Sequence, residues 1–219
     1  MKKKSIALLM AVVMLFGAVG VTLAWLKDST TEVVNTFTYG KIDIDLKEHD
    51  YNPSTDELTS TEVTTENEYK MIPGDTLPKD PFVTVKKGSE ACWLFVEITE
   101  SANFDTFMTW DIAAGWTLLE KTPNDETADK YVYYRKVDSL VNAAADSKFD
   151  VLLNKTVTVK SSVVEADFTG LDVDNSGVVE SDELPTLTFK AYAVQSENLK
   201  LDGSTTVITE AADAWTLAK

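Results

Sequence analysis

Short segments in which apolar and polar residues alternate recur along most of this chain. Residues 42–46 read Ile-Asp-Ile-Asp-Leu, residues 131–137 alternate in the same way, and residues 187–194 form the strongest such segment of the C-terminal half. A period of two places the apolar side chains on one face of a strand, as a half-buried strand requires. Many short strands separated by turns predict a mainly β protein, an antiparallel β-sandwich.

Two further patterns concern the N-terminal half of the predicted sandwich. Apolar segments at residues 82–85 and 91–99 flank Lys87-Gly88-Ser89, and this arrangement predicts a β-hairpin. Residues 47–69 are polar and rich in Thr and Glu, so they predict a long mobile loop, with a short edge strand as an option within it.

Only a few short helices are expected. Val164, Phe168 and Leu171 recur at helical spacing, and residues 210–215 are good helix formers near the C-terminus. Aromatic residues cluster in the middle of the chain, where they suit either a carbohydrate-binding platform or a core. We favour the core, because strands are rich in aromatic residues in general.

The N-terminus has the layout of a secretory signal peptide. Lys2, Lys3 and Lys4 precede an uncharged, mostly apolar run from residue 5 to residue 24, which ends in small residues. This layout predicts a signal helix that is removed after Ala24, so that the secreted protein begins at Trp25. The alternative is a retained membrane anchor, since 20 residues are enough to span a bilayer.

The chain is strongly acidic, with 20 basic and 36 acidic residues. Removing the three lysines of the signal peptide leaves 17 basic residues and a net charge of −19. Such a charge repels nucleic acids and anionic membrane surfaces and favours divalent cations. We therefore expect a secreted protein of the extracellular matrix or cell surface, with no nucleic-acid partner and no membrane association after signal cleavage.

Cys92 and His49 are each the only residue of their type. A single cysteine forms no intrachain disulfide, and its apolar surroundings predict a buried thiol. His49 lies in the polar segment predicted as a loop, so a cysteine nucleophile with a neighbouring base is not expected.

Residues 172–183 read Asp-Val-Asp-Asn-Ser-Gly-Val-Val-Glu-Ser-Asp-Glu, which fits the twelve-residue EF-hand loop. Gly177 occupies the position of the sharp turn. The expected Ca²⁺ ligands are Asp172, Asp174, Ser176, the carbonyl of Val178, Glu180 and a bidentate Glu183. Because Pro185 and a strand follow the loop, we expect an isolated structural calcium loop; the alternative is a solvated acidic turn.

Four segments together resemble the camelysin/TasA family of secreted bacterial proteins. They are Ala24-Trp25-Leu26-Lys27-Asp28 at the signal junction, residues 33–40, Pro73-Gly74-Asp75-Thr76-Leu77-Pro78-Lys79-Asp80, and residues 187–195. The resemblance implies a jelly-roll-like sandwich, removal of the signal by a SipW-type signal peptidase, and a place at the surface or in the biofilm matrix of a Gram-positive bacterium. It also implies fibres, in which residues 25–40 donate a strand to another copy or to a related matrix subunit.

The sequence thus divides into a signal peptide (1–24), a candidate donor segment (25–40) and one sandwich domain (41–219). Some members of the family resembled are labelled metalloendopeptidases, which makes that activity the first alternative to a structural role. A single histidine cannot form the His-Glu-x-x-His zinc site, although an all-carboxylate zinc site stays open. A calcium-dependent adhesion module is the further alternative.

Overall fold

A computed structural model describes residues 40–64, 67–122, 128–172, 178–180, 183–201 and 203–219. Residues 40–219 form one compact unit. The signal peptide and residues 25–39 of the candidate donor segment lie outside the described residues. None of the helices in the described part has the length and apolar character of a membrane span.

The described residues form a mainly antiparallel β-structure with three short α-helices, as the alternating pattern predicts. The strands are β1 (Ile44–Asn52), β2 (Glu57–Val63), β3 (Thr76–Pro78), β4 (Phe82–Val85), β5 (Cys92–Ser101), β6 (Met108–Thr109), β7 (Thr117–Thr122), β8 (Ala128–Val137), β9 (Ser147–Asp150), β10 (Thr156–Val159) and β11 (Leu187–Gln195). The helices are α1 (Phe104–Phe107), α2 (Glu165–Thr169) and α3 (Ala211–Ala218), and a 3₁₀ turn covers Leu153–Lys155.

The strands belong to three sheets. One four-stranded sheet has the order β2-β1-β4-β9, and the other has the order β11-β5-β8-β7. A smaller sheet has the order β3-β10-β6. Every pair of neighbouring strands in these sheets is antiparallel.

The central strand β5 is covered on both faces. Its even-numbered residues from Cys92 to Ile98 belong to the core between the two large sheets, whereas Trp93 and Phe95 belong to a second core on the outer face. A strand that is covered on both sides needs apolar residues without alternation, and this explains the uninterrupted run from residue 92 to residue 96. Cys92 is fully buried, as predicted, and burial raises the pKa of its thiol to about 11.

The core between the large sheets also explains most of the central aromatic residues. Trp116 is buried there, and Trp110 packs edge-on against Tyr131 and Tyr133. These rings therefore pack in the core of the domain, which confirms the prediction of a core in preference to a carbohydrate-binding platform.

Helix α3 closes the outer face of β5. Ala211, Ala214 and Trp215 are buried at the i, i+3 and i+4 spacing of one helix face. The ring of Trp215 lies 5.2 Å from that of Phe95 and 5.0 Å from that of Tyr192, measured between centroids. Helix α3 therefore packs against the sheet mainly through the indole of Trp215.

The small sheet encloses a third core at one end of the domain. Helix α1 contributes Phe104 and Phe107, and β10 contributes Val157 and Val159. Helix α2, predicted from the spacing around Phe168, packs the ring of that residue 5.7 Å from Phe107.

The predicted hairpin between residues 82–85 and 91–99 is wrong. Strand β4 pairs with β1 and β9, whereas β5 pairs with β11 and β8 in the other sheet. The segment between β4 and β5 crosses from one large sheet to the other, and hydrogen bonds of two of its residues hold it in place. The buried Ser89 Oγ accepts a hydrogen bond from the Asp43 amide at 3.1 Å, and the Gly88 amide donates to the Leu140 carbonyl at 2.8 Å.

The predicted long loop at residues 47–69 is also largely wrong. Its first part continues β1, and residues 57–63 form the edge strand β2. The Tyr51 side chain is buried, and its hydroxyl donates to Asp56 Oδ1 at 2.7 Å across the turn. Polar composition misleads here because the edge strand β2 exposes four of its seven residues, and Thr suits a strand well.

We expect Trp215→Ala to lower the free energy of unfolding by about 3–5 kcal/mol, because it removes a buried indole that holds α3 on the sheet. Leu217→Ala is the matched control, since Leu217 lies on the same helix and is 40% exposed; it should change stability by less than about 0.5 kcal/mol. Urea unfolding of both variants measures the difference, and equal losses would contradict this account of α3.

Candidate functional site

A groove of about 770 Å³ opens between β1 and the start of β11. Side chains from distant parts of the chain line it, and most of them are apolar. The apolar lining residues include Leu46, Met71, Leu77, Phe104, Met108, Val157, Leu187 and Phe189. An apolar groove of this kind suits an extended peptide better than a small polar substrate.

Two strand edges flank this groove. Within the described residues, β11 pairs only with β5, so the other edge of its nine residues has no strand partner. At about 3.3 Å per residue this edge is about 30 Å long. Residues 44–47 of β1 pair with β4, while the partners of β1 in β2 begin only at Glu48. Both edges thus present rows of backbone donors and acceptors that another strand can satisfy.

A buried ion pair forms the polar part of the groove wall. Lys79 Nζ lies 2.6 Å from Glu48 Oε2, and both side chains are almost completely buried. The Asn67 amide donates to the second carboxylate oxygen at 2.8 Å. The Lys79 ammonium also lies over the rings of Tyr69 and Phe189, at 5.5 and 5.8 Å from their centroids. Each charge of the pair is therefore compensated within the domain.

Asn67 also limits how much of the β1 edge is open. Its side-chain oxygen accepts from the Tyr51 amide at 2.9 Å, and its side-chain nitrogen donates to the His49 carbonyl at 3.0 Å. The amide thus pairs with β1 as a neighbouring strand would, at the point where the register of β1 and β2 shifts. The open edge of β1 is restricted to residues 44–47.

His49 lies in β1, and the prediction that it sits in a polar loop is wrong. Its Nδ1 is 2.6 Å from Asp80 Oδ2, and its backbone amide donates to Asp80 Oδ1 at 3.0 Å. Asp80 is 3% exposed, so the carboxylate fixes the imidazole from within the domain. The imidazole in turn packs against Phe82, with 5.5 Å between the ring centroids. This pair anchors the β1 strand beside the groove.

The structure describes four of the six predicted calcium ligands. They are Asp172, Val178, Glu180 and Glu183, while Asp174 and Ser176 lie outside the described residues. The Glu180 amide donates to Glu183 Oε2 at 2.8 Å, and the Glu183 amide donates to the Glu180 carbonyl at 3.1 Å. Glu180 and Glu183 are thus hydrogen-bonded to each other in both directions.

The end of the calcium loop is attached to the end of β5. Asn103 Nδ2 donates to the Glu183 carbonyl at 2.7 Å, and Ser101 Oγ accepts from the Thr186 amide at 2.8 Å. Because Leu187 begins β11, this attachment also fixes the start of the open edge.

Sequence patterns do not reveal an acidic cluster formed by Glu100, Asp105 and Asp129. One carboxylate oxygen of each lies within 4.8 Å of the others. The three come from β5, α1 and β8, so no spacing along the chain connects them. Burial raises the pKa of Glu100 above its ordinary value, hydrogen bonds from Trp110 and Tyr131 oppose the rise, and the charge of Asp105 adds to it. These two donors satisfy Glu100 without an ion.

No protein-family model matches the chain, and no curated protein or solved structure is significantly similar to it. The resemblance to the camelysin/TasA family therefore stays a prediction. The function has to be argued from the groove, the strand edges and the charged loops themselves.

We expect Lys79→Met to lower the free energy of unfolding by about 3–5 kcal/mol, because it leaves Glu48 buried without its counter-charge. Replacing both residues, as Glu48→Gln with Lys79→Met, should recover most of that loss. Lys155→Met is the matched control, since the Lys155–Asp150 pair is largely exposed, and it should cost less than about 0.5 kcal/mol. Thermal or urea unfolding measures all three, and similar losses for both single variants would contradict the burial argument.

Proposed function

We propose that this protein is a secreted structural protein of the bacterial cell surface or biofilm matrix, which assembles into fibres by strand donation. The observation that carries the proposal is the apolar groove between two unpaired strand edges. A strand from another molecule would satisfy the backbone groups of β11 and bury apolar side chains in the groove at the same time.

The proposed occupant is the segment 25–40 of a second copy. It follows the expected signal cleavage site and carries Val33, Val34 and Phe37 as apolar side chains for the groove. Addition of this strand beside β11 would extend the β-structure toward the jelly-roll that the family resemblance implies. A SipW-type signal peptidase would release the donor during export.

The calcium loop has a structural part in this proposal. Asp172 and Glu183 belong to a loop whose last residue accepts a hydrogen bond from Asn103, just after β5, and which is followed closely by β11. Ca²⁺ bound by the predicted ligands would neutralise part of the negative charge and stabilise the start of the acceptor strand.

The metalloendopeptidase and the calcium-dependent adhesion module stay alternatives that no particular contact favours. Casein hydrolysis by the secreted protein, compared with and without a chelator, distinguishes the protease from the other two. Electron microscopy of aged protein distinguishes a fibre subunit from an adhesion module.

Deleting residues 25–35 should give a folded monomer that no longer forms fibres, because the donor strand is missing. Met71→Glu in the full secreted form should have the same effect, since it places a carboxylate in the groove. Ile72→Glu is the matched control, because the neighbouring Ile72 is 45% exposed and does not line the groove. Sedimentation and negative-stain microscopy give the extent of assembly.

Met71→Glu, the groove variant, and Ile72→Glu, its control, each add one negative charge. If both assemble as the wild type does, the groove is not the acceptor. If the truncated protein forms the same fibres, residues 25–35 are not the donor. A melting temperature for each monomer shows that the variants are folded.

Calcium should raise the melting temperature of the monomer that lacks residues 25–35. Extracellular sites of this type bind at about 10⁻⁴–10⁻³ M, and an excess of about a hundredfold over the dissociation constant adds about 2.7 kcal/mol. Glu183→Gln should lose most of this gain, because it removes the bidentate ligand. Glu100→Gln should keep it, because Glu100 belongs to the separate acidic cluster. Identical melting curves with calcium and with chelator would contradict calcium binding and favour the alternative of a solvated acidic turn.

A further inference from the structure

Arg135 is the only arginine of the chain, and its guanidinium lies over two aromatic rings. It lies on β8, half-buried, on the same face as Tyr133 and Val137, which belong to the core between the two large sheets. Its guanidinium carbon is 4.1 Å from the ring centroid of Phe149 on β9 and 5.3 Å from that of Trp116. Such contacts attract the guanidinium to the rings and remove water from the surface that the rings cover.

The guanidinium has no anionic partner among the described residues. Arg135 takes part in none of their ion pairs. Its Nε is buried and donates no hydrogen bond to any described residue. Burial lowers the pKa of Arg135, but a guanidinium stays protonated at any physiological pH. A half-buried guanidinium without an anionic partner among the described residues is costly, so an anion that reaches the part of the group open to solvent would stabilise it.

The surroundings of Arg135 are rigid. Trp116 is fixed because its Nε1 donates to the Asp150 carbonyl at 2.8 Å. Gly115 has a φ of +87°, and a Cβ at this position would lie 3.0 Å from Nη2 of Arg135. The absence of a side chain at residue 115 therefore makes room for the guanidinium.

We propose that Arg135, with the rings of Trp116 and Phe149, forms a binding site for a carboxylate. A carboxylate matches the planar fork of a guanidinium, which donates two parallel hydrogen bonds to it. The rings exclude water from the faces of the guanidinium, and this strengthens the pair relative to an exposed lysine. The acidic chain repels anions from a distance, but at physiological salt that repulsion is screened beyond about 8 Å.

This site is independent of the proposed strand donation. Arg135 is adjacent to β7, and Phe149 belongs to β9; these strands form the edges of the two large sheets that are opposite to β11 and β2. The groove and the carboxylate site thus lie at different edges of the same sheets. The carboxylate can come from a peptide C-terminus or from an acidic side chain, and the two sources require separate probes.

A single arginine makes the test direct, because the ¹⁵N-labelled protein has only one Arg Nε–H resonance. The monomer that lacks residues 25–35 is titrated at constant ionic strength with Nα-acetylglycine, with Nα-acetylglutamate α-amide and with the neutral Nα-acetylglycinamide. The first probe carries a terminal carboxylate and the second a side-chain carboxylate. We expect a saturable downfield shift of the Nε–H resonance with at least one acid and none with the amide. The acid that binds more tightly identifies the source.

Two variants separate the site from a general effect of charge. Arg135→Lys keeps the charge but loses the planar fork, and it should weaken binding by about tenfold or more, as read from the Gly115 amide and Trp116 indole resonances. Lys136→Gln is the matched control: Lys136 is the next residue, exposed, and stacks on Trp93 on the other face of the sheet, with Nζ at 4.2 Å from the ring centroid. This control should bind as the wild type does.

The proposal is overturned if the Nε–H resonance responds equally to the acids and to the amide, or to none of them. It is also overturned if Arg135→Lys and Lys136→Gln change the affinity to the same extent. Because the monomer without the donor segment is used throughout, failure of fibre formation does not affect any of these outcomes.

Discussion

Everything else in this domain depends on the burial of β5. Its residues pair on one side with β11 and on the other with β8, and its two faces contact different cores. A strand that is enclosed in this way leaves no backbone group for another partner. Open backbone edges can therefore occur only at the outer strands, which are β11 and β7 in this sheet. The groove lies beside the first, and Arg135 lies next to the second.

Several strands and the helices α2 and α3 could be predicted from the sequence, but the full extent of β1, the strand β7 and the partners of the strands could not. The segments at residues 131–137 and 187–194 predict β8 and β11, although the outer face of each strand also contributes apolar residues to the second core. The turn at Lys87-Gly88-Ser89 has the composition of a hairpin, yet the flanking strands belong to different sheets. The composition of β4 argues against an exposed hairpin. Its four residues include no charged side chain on either face, and all four are buried. A strand without a charged face is typical of the centre of a sheet and not of the arm of an exposed hairpin.

The candidate sites also differ in how far the sequence alone reveals them. The calcium loop is a prediction from a pattern of neighbouring residues, and such a pattern can be recognised without knowledge of the fold. The groove brings Leu46 together with Leu187, and the carboxylate site brings Arg135 together with Phe149. These contacts follow from the sheet orders, which the spacing of residues along the chain does not encode. Composition alone shows that one of the 20 basic residues is an arginine, and this is the sequence feature that points to the carboxylate site.

The negative charge of the chain decides which kinds of association are physically reasonable. Copies of the secreted form, with its expected net charge of −19, would repel one another, and the exposed lysine–carboxylate pairs of the surface contribute little to offset this. Association through backbone hydrogen bonds and apolar side chains does not depend on charge complementarity, and salt screens the repulsion beyond about 8 Å. Strand addition at β11 is such an association. A bound Ca²⁺ next to the start of that strand would lower the repulsion where two copies come closest. In so acidic a molecule, a guanidinium that lies over two rings and has no ion pair among the described residues is the exception, and the proposed carboxylate ligand would supply its acceptor.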